Sequence, residues 1–399
     1  MNTNSSEAVP GFLGLAALLR KNLAGEDLGP LCQSLIDRAS RDASDSAALL
    51  DAGIIFQLLG NQELASHLQG EALKSQRHYC LPSAQPTKLR LLALMAPGDM
   101  MSNVPIECLL EHSDVELHLY YASSQLEAQL EVPDHDVLFV AISESADNRP
   151  ILDAWQDVLA AWPRPVLNNP RHIPRVARDA AYRLLHRIPG VAMPPTARLG
   201  RAQVEQLARQ ADGVFPLIVR PLDSHAGHDL YKIDDAADLL AKLQDMPGEE
   251  FYVSPFIDYR SADGLFRKYR VVLVEGRPYA CHMGISSHWM IHYLNAGMAD
   301  SAEKRAEEAA FMATFDEGFA QRHRAALAGI HQAIGLDYLG IDCAETPEGD
   351  LLIFEVDHAM VVHAMDPVDV FPYKQPTMHK LFAAFRDMLQ RAAATQAQG

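Results

Sequence analysis

The sequence predicts an α/β protein: an all-helical N-terminal region, then a unit with a parallel sheet, then a larger α+β unit. Three observations predict this. Through residues 10–76 apolar residues recur at helical spacing, as in Phe12, Leu15, Leu18 and Leu19. From residue 89 short apolar runs alternate with helical stretches, the pattern of a parallel sheet. Near the C-terminus two strand-like runs flank the turn Thr346-Pro347-Glu348-Gly349-Asp350. At 399 residues the chain exceeds one hydrophobic core. The expected divisions are residues 1–80, 87–185 and 186–395.

In chain order, Ala47 to Ser75 reads as two helices joined at Leu59-Gly60-Asn61, similar to one tetratricopeptide hairpin. It serves either as a partner-binding module or as a helical cap on the main body. Leu81 to Pro86 has the composition of a linker. Strands are expected at 89–95, 115–120 and 135–141, with helices around 105–112 and 151–162, and a short strand and turn at 165–170. Residues 171–187 read as a basic helix stopped by Pro189-Gly190. A helix is expected at 200–210 and another at 376–393. The run Asp300–Glu308 reads as a solvated, charged helix face.

Hydrophobic content of 48% with 22% charged residues suits a soluble globular protein. The balance of 34 basic against 52 acidic residues, net −18, argues against nucleic acid or an anionic membrane as partner. The five cysteines form no Cys-x-x-Cys pair and read as free thiols in a reducing compartment, the cytoplasm. The polar N-terminus carries no signal-peptide pattern, and no apolar run reaches the roughly 18 residues that span a bilayer.

The chemistry concentrates in three segments. Glu355 and Asp357 lie two apart on a strand, so their side chains leave the same face. If the two strands pair across the 346–350 turn, Asp342 joins that face. Three clustered acids need a cation, and an all-oxygen set suits Mg²⁺. The bland alternative is a hairpin with solvated acids. The second segment runs from Phe215 to Leu230: a strand ending in Arg220, then the small-residue loop Ser224-His225-Ala226-Gly227. Such a loop offers backbone N–H groups to phosphate, and Arg220 a charge-assisted partner. The third joins the apolar strand Phe251 to Phe256 to a strand carrying Lys268 and Arg270 on one face, closed by the hairpin signal Glu275-Gly276. This face is either solvated or a second phosphate-binding wall.

In this order the parts resemble the ATP-grasp superfamily of carboxylate–amine ligases over roughly residues 87–390. The likeness is greatest to the glutathione synthetase and ribosomal-protein glutamate ligase type. The resemblance implies ATP and two Mg²⁺ ions as cofactors. It implies Arg220 and Ser224, His225, Ala226 and Gly227 at the phosphate loop, and Tyr252, Val253 and Ser254 at the adenine hinge. Arg178 stands near the first nucleotide-binding cation and Lys268 on the phosphate wall. The resemblance further implies that Arg270 and Arg220 stabilise the transferring phosphoryl group and that Asp342, Glu355 and Asp357 hold the metals. Departures are Asp357 where Asn is usual, Arg178 and Arg220 where Lys is common, Pro255 where an acid is common, and His358 where Gly normally follows.

Histidines gather where the family puts its acceptor. His282, His288 and His292 read as lining a substrate cleft or as covering a loop, with a zinc site as a third option. Asn295 matches a phosphate-proximal position. The implied activity is amide or peptide bond formation through an acyl phosphate, releasing ADP and phosphate. Its substrates are a small-molecule or peptide carboxylate and an amine. A rival reading is a weak or inactive nucleotide-binding scaffold that recruits a protein partner through its helical N-terminus; another is a kinase-like activity. Related ligases form dimers or tetramers, which implies a homo-oligomer.

Overall fold

The computed structural model describes residues 11–126, 132–210, 214–222, 224 and 229–396. The N-terminal region holds α1 (Gly14–Leu23), α2 (Gly29–Arg41), α3 (Ser46–Leu58) and α4 (Gln62–Ser75). The side chains of Asp45 and Asn61 accept the N–H groups of Ala48 and Leu64, starting α3 and α4, the latter at the expected turn. α3 packs on α1, α2 and α4, and Leu18, Leu35, Ala48 and Ile55 fill a core of their own. Two buried acids anchor the start of α1, Asp51 within the bundle and Glu107 from the unit that follows it. Asp51 accepts the N–H groups of Leu13 (2.8 Å) and Gly14 (3.0 Å), and Glu107 accepts that of Ala16 (2.9 Å).

The next unit contains β1 (His78–Leu81), β2 (Leu89–Met95), α5 (Ile106–Leu109), β3 (Val115–Tyr121), β4 (Val137–Val140), α6 (Arg149–Ala160) and β5 (Val166–Leu167). Its five-stranded sheet runs β1-β3-β2-β4-β5 and is parallel apart from β1, which is antiparallel to β3. β1 was not expected. It straddles the division drawn at residue 80 and occupies the start of the stretch read as linker. The helix expected at 105–112 is a single turn. The basic helix of 171–187 is broken: a 3-10 turn at Ile173–Val176, an extended Ala177 (ψ 134°), then α7 (Arg178–Leu185).

Beyond it come β6 (Val191–Ala192), β7 (Ala197–Gly200), α8 (Arg201–Gln210), β8 (Leu217–Pro221), β9 (Tyr231–Ile233), α9 (Ala236–Asp245) and β10 (Glu250–Pro255). A small antiparallel sheet, β7-β10-β8-β9, is backed by α8 and α9 around Val204, Val219, Leu239 and Phe251. The chain continues as β11 (Phe266–Val274), β12 (Arg277–Ser286), α10 (Ala302–Ala313), α11 (Phe319–Arg322), α12 (Arg324–Ile334), β13 (Tyr338–Glu345), β14 (Leu351–Asp357) and α13 (Lys374–Gln396). The large sheet is β12-β11-β13-β14-β6. The β11–β12 turn is the expected one, with Glu275 and Gly276 at φ 49° and 76°. Fully buried Asn168 ties the parallel sheet to the large one: its side-chain N–H donates to the Tyr338 carbonyl (3.0 Å), and its oxygen accepts the Tyr338 N–H (2.9 Å). The architecture is thus the mixed α/β one predicted. Among the described residues no helix is long and apolar enough to cross a membrane.

One charged segment differs from expectation. Glu308, read as part of a solvated face, is fully buried. Its carboxylate accepts from the Met283 N–H (3.0 Å), the Tyr293 hydroxyl (3.0 Å) and the Tyr373 hydroxyl (2.7 Å), which replace its water.

Candidate active site

A cavity of about 290 Å³ opens between the small and large sheets. β8 and β10 form one wall, β11 and β14 the other, and the loop at 289–292 adds to the lining. Strand register builds the charged wall. Arg270 of β11 lies opposite Asp342 of β13, which lies opposite Glu355 of β14. Lys268 precedes Arg270 by two residues and Asp357 follows Glu355 by two, so the period of the strand keeps all five on one face. Asp357 pairs with Gly340. A Cβ at Gly340 would stand 2.6 Å from the Met360 sulfur and 2.8 Å from the Asp357 carbonyl oxygen, so glycine is what lets this end of β14 close down. The register of β13 and β14 slips between Asp342 and Cys343, leaving Phe354 as an extra residue. That bulge puts both Phe354 and Glu355 into the cleft.

Cations hold the acids. Arg270 grips Asp342 with two bonds, Nε to Oδ1 at 2.7 Å and Nη2 to Oδ2 at 3.0 Å. Lys268 Nζ lies 2.7 Å from the same Oδ2. Burial alone would raise the Asp342 carboxyl, but these two cations hold it well below the usual carboxylate range. In turn Asp342 outweighs burial and raises the Arg270 guanidinium. Arg178, the first residue of α7, pairs with Glu355 and donates to the Phe354 carbonyl (3.1 Å). Burial pushes the Glu355 carboxyl up, yet Arg178 and Arg220 bring it below its ordinary value. On the small sheet, Arg220 donates Nε to Ser224 Oγ (3.0 Å) and also donates to the Ser224 carbonyl. Burial, and then Arg178 nearby, lowers Arg220 to about 9. Among the described residues, four cationic side chains and three acids line the cleft.

The structure brings most of the sequence-identified residues together. Arg178, Arg220, Tyr252, Ser254, Lys268, Arg270, His292, Asp342, Glu355 and Asp357 all line the cavity. Others do not reach it. Val253 turns its side chain into the core of the small sheet, because it alternates with Tyr252 and Ser254. Ser224 is held against Arg220 outside the lining. His282 lies tilted against Tyr293 (4.5 Å between ring centres), and burial pushes its imidazole well below its ordinary range. His288 is exposed on its loop. Asn295 is exposed too, its side-chain oxygen accepting the His292 N–H at 3.0 Å. His225, Ala226 and Gly227 lie outside the described residues.

The sequence reading missed the apolar part of the lining, including Met193, Ile218, Phe256, Trp289 and Met360. Ile218 could have been found, since it alternates with Arg220 on β8. Trp289 lies on a loop without periodicity.

The three carboxylates share a face but do not bring their oxygens within 4.8 Å of one another, since each is drawn to its own partner. Asp342 is committed to Arg270 and Lys268. Asp357 accepts the Ala359 N–H (3.0 Å). A preassembled three-acid cage is therefore not what the residues present. Glu355 and Asp357 still offer hard oxygen donors, and Mg²⁺ is commonly held by one or two carboxylates together with phosphate oxygens. On that chemistry the residues fit the ion.

No protein-family profile matches the chain, and no curated protein sequence matches it. Among solved structures, the fold is similar to that of VanG D-Ala:D-Ser ligase from Enterococcus faecalis. The identity is 14%, over 77% of this chain and 100% of that one, with a TM-score of 0.49. D-Alanine–D-alanine ligase from Bacillus anthracis, complexed with ATP, is similar at 13% identity over 78% and 99% of the two chains, with a TM-score of 0.44. A RimK domain protein ATP-grasp from Sphaerobacter thermophilus is similar at 17% identity over 71% and 97%, with a TM-score of 0.40.

Proposed function

We propose that the chain is an ATP-dependent carboxylate–amine ligase of the ATP-grasp type. The observation that supports it most is the cleft itself: Arg220, Lys268 and Arg270 from two sheets and Arg178 from α7 converge on it, with Glu355 and Asp357 beside Lys268 and Arg270 and an apolar strand opposite. The apolar lining around Ile218, Tyr252 and Phe256 suits a base, and the cations suit a triphosphate. The substrate carboxylate oxygen attacks the γ-phosphorus, the bond to the β-phosphate oxygen breaks, and ADP leaves. The amine nitrogen then attacks the acyl carbon, the carbon–phosphate oxygen bond breaks, and the nitrogen loses a proton. Arg270 and Arg220 stabilise the charge on the transferring group, while Asp342 keeps Arg270 aimed into the cleft. Arg178 orients Glu355 toward the phosphates. Magnesium held by Glu355 and Asp357 would neutralise the β and γ oxygens. No protein nucleophile is needed, so the raised, buried thiols of Cys281 and Cys343 have no part. The five unpaired cysteines accord with a cytoplasmic setting.

The test is ADP release from Mg-ATP across a panel of amino acids and short peptides, with product masses read in parallel. We expect release dependent on an added carboxylate, a product one water lighter than the pair joined, and loss of both in Glu355→Gln. Full turnover in Glu355→Gln and Asp357→Asn together would overturn the assignment. A phosphorylated product without a joined one would make the protein a kinase.

A further inference from the structure

We propose that Cys80, Glu116 and His118 form a binding site for one zinc-class divalent cation on the β1–β3 edge of the parallel sheet. The site is separate from the cleft and owes nothing to the ligase reading. Cys80 of β1 lies directly opposite His118 of β3, so their side chains leave the same face. Glu116 precedes His118 by two residues on that strand and shares the face. One ligand atom from each of the three, a thiol sulfur, a carboxylate oxygen and a ring nitrogen, lies within 4.8 Å of the other two. His118 is buried, with Nε2 3.1 Å from Glu116 Oε1. Its other nitrogen, Nδ1, is 2.9 Å from His78 Nε2. One nitrogen thus faces the carboxylate while the second is held from behind, the arrangement that orients a metal-binding imidazole.

A thiolate, an imidazole and a carboxylate together suit zinc rather than magnesium or calcium. Cys80 is exposed, which gives the ion a path from solvent and a fourth position for water. On binding, the sulfur bonds the ion and its proton passes to solvent. The remaining cysteines, Cys32, Cys108, Cys281 and Cys343, are all buried. A bound ion would fasten the edge strand β1, the first strand after the helical bundle, to β3.

The experiment uses the full chain, stripped with chelator and titrated with Co²⁺ in excess Mg²⁺, which keeps the cleft occupied by the harder ion. We expect one ion per chain, a thiolate-to-cobalt charge-transfer band, and displacement by Zn²⁺. Cys80→Ser, at an exposed position, loses the band with its circular dichroism unchanged. His78→Gln keeps the band but binds roughly ten- to a hundredfold more weakly. Zn²⁺ raises the Tm of the parent chain and leaves that of Cys80→Ser where it was. Absence of the band in the parent chain, or its persistence in Cys80→Ser, overturns the proposal.

Discussion

Two pairs of acids in this molecule, all buried but the half-buried Glu355, are shifted in opposite directions. In the cleft, Asp342 and Glu355 are held below their ordinary values, although burial acts to raise both. Beneath the start of α1, burial prevails: Asp51 is pushed up to about 6 and buried Glu107 to about 8. The hydrogen-bond partners differ accordingly. Asp51 and Glu107 accept backbone N–H groups, whereas Asp342 and Glu355 face Arg270, Lys268 and Arg178. Burial penalises any carboxylate, and a full positive charge a few ångströms away outweighs that penalty where backbone dipoles do not. The cleft therefore carries fixed charge at every physiological pH. The bundle junction carries charge that neutral pH can remove.

The largest effect should come from breaking the charged wall. Arg270→Met leaves Asp342 buried with Lys268 as its remaining cation. We expect a loss of about 3–5 kcal/mol in chemical denaturation, together with loss of ADP release. Retained stability would mean that Lys268 alone suffices.

The bundle junction should respond to pH with the opposite sign. Glu107 has a folded value above its unfolded one, near 4.3. Its stabilising contribution is therefore complete below that unfolded value and is lost as pH rises toward about 8. Asp51 acts in the same sense up to about 6. Thermal melts followed by hydrogen exchange in α1 should show weakening on the order of 5 kcal/mol across this window from Glu107 alone. Glu107→Gln should flatten the slope. The cleft pair contributes stability that is lost only as pH falls below the ordinary carboxylate range. A junction insensitive to pH would break the contrast.

A smaller effect is expected at Arg178, which touches the cleft through Glu355. Arg178→Met should weaken ATP binding about tenfold, roughly 1.4 kcal/mol, at little cost to folding. The smallest is expected at His288. It is exposed and outside the cavity, so His288→Ala should change stability by less than about 0.5 kcal/mol and leave turnover unaltered.

How far the sequence could be read follows from how local each cause is. The acids of β13 and β14 were placed on one face because strand alternation and a short turn are local facts. The same alternation, applied strictly, would have turned Val253 inward. β1 escaped notice because His78-Tyr79-Cys80-Leu81 is short, and its partner β3 lies some forty residues on. Glu308 read as solvated because Met283, Tyr293 and Tyr373, which satisfy it, lie 15 to 65 residues away. The bulge that sends Phe354 into the cleft depends on how two strands pair, which residue types alone do not encode.

The central claim is that the cleft binds a triphosphate through its cations, with Glu355 and Asp357 presenting oxygens to magnesium. The most direct measurement is calorimetric titration of the full chain with a non-hydrolysable ATP analogue, with and without Mg²⁺. We expect one molecule per chain, bound at least tenfold more tightly with Mg²⁺, and loss of that advantage in Glu355→Gln. Absence of binding in both conditions, or tight binding indifferent to magnesium and to Glu355, would contradict it.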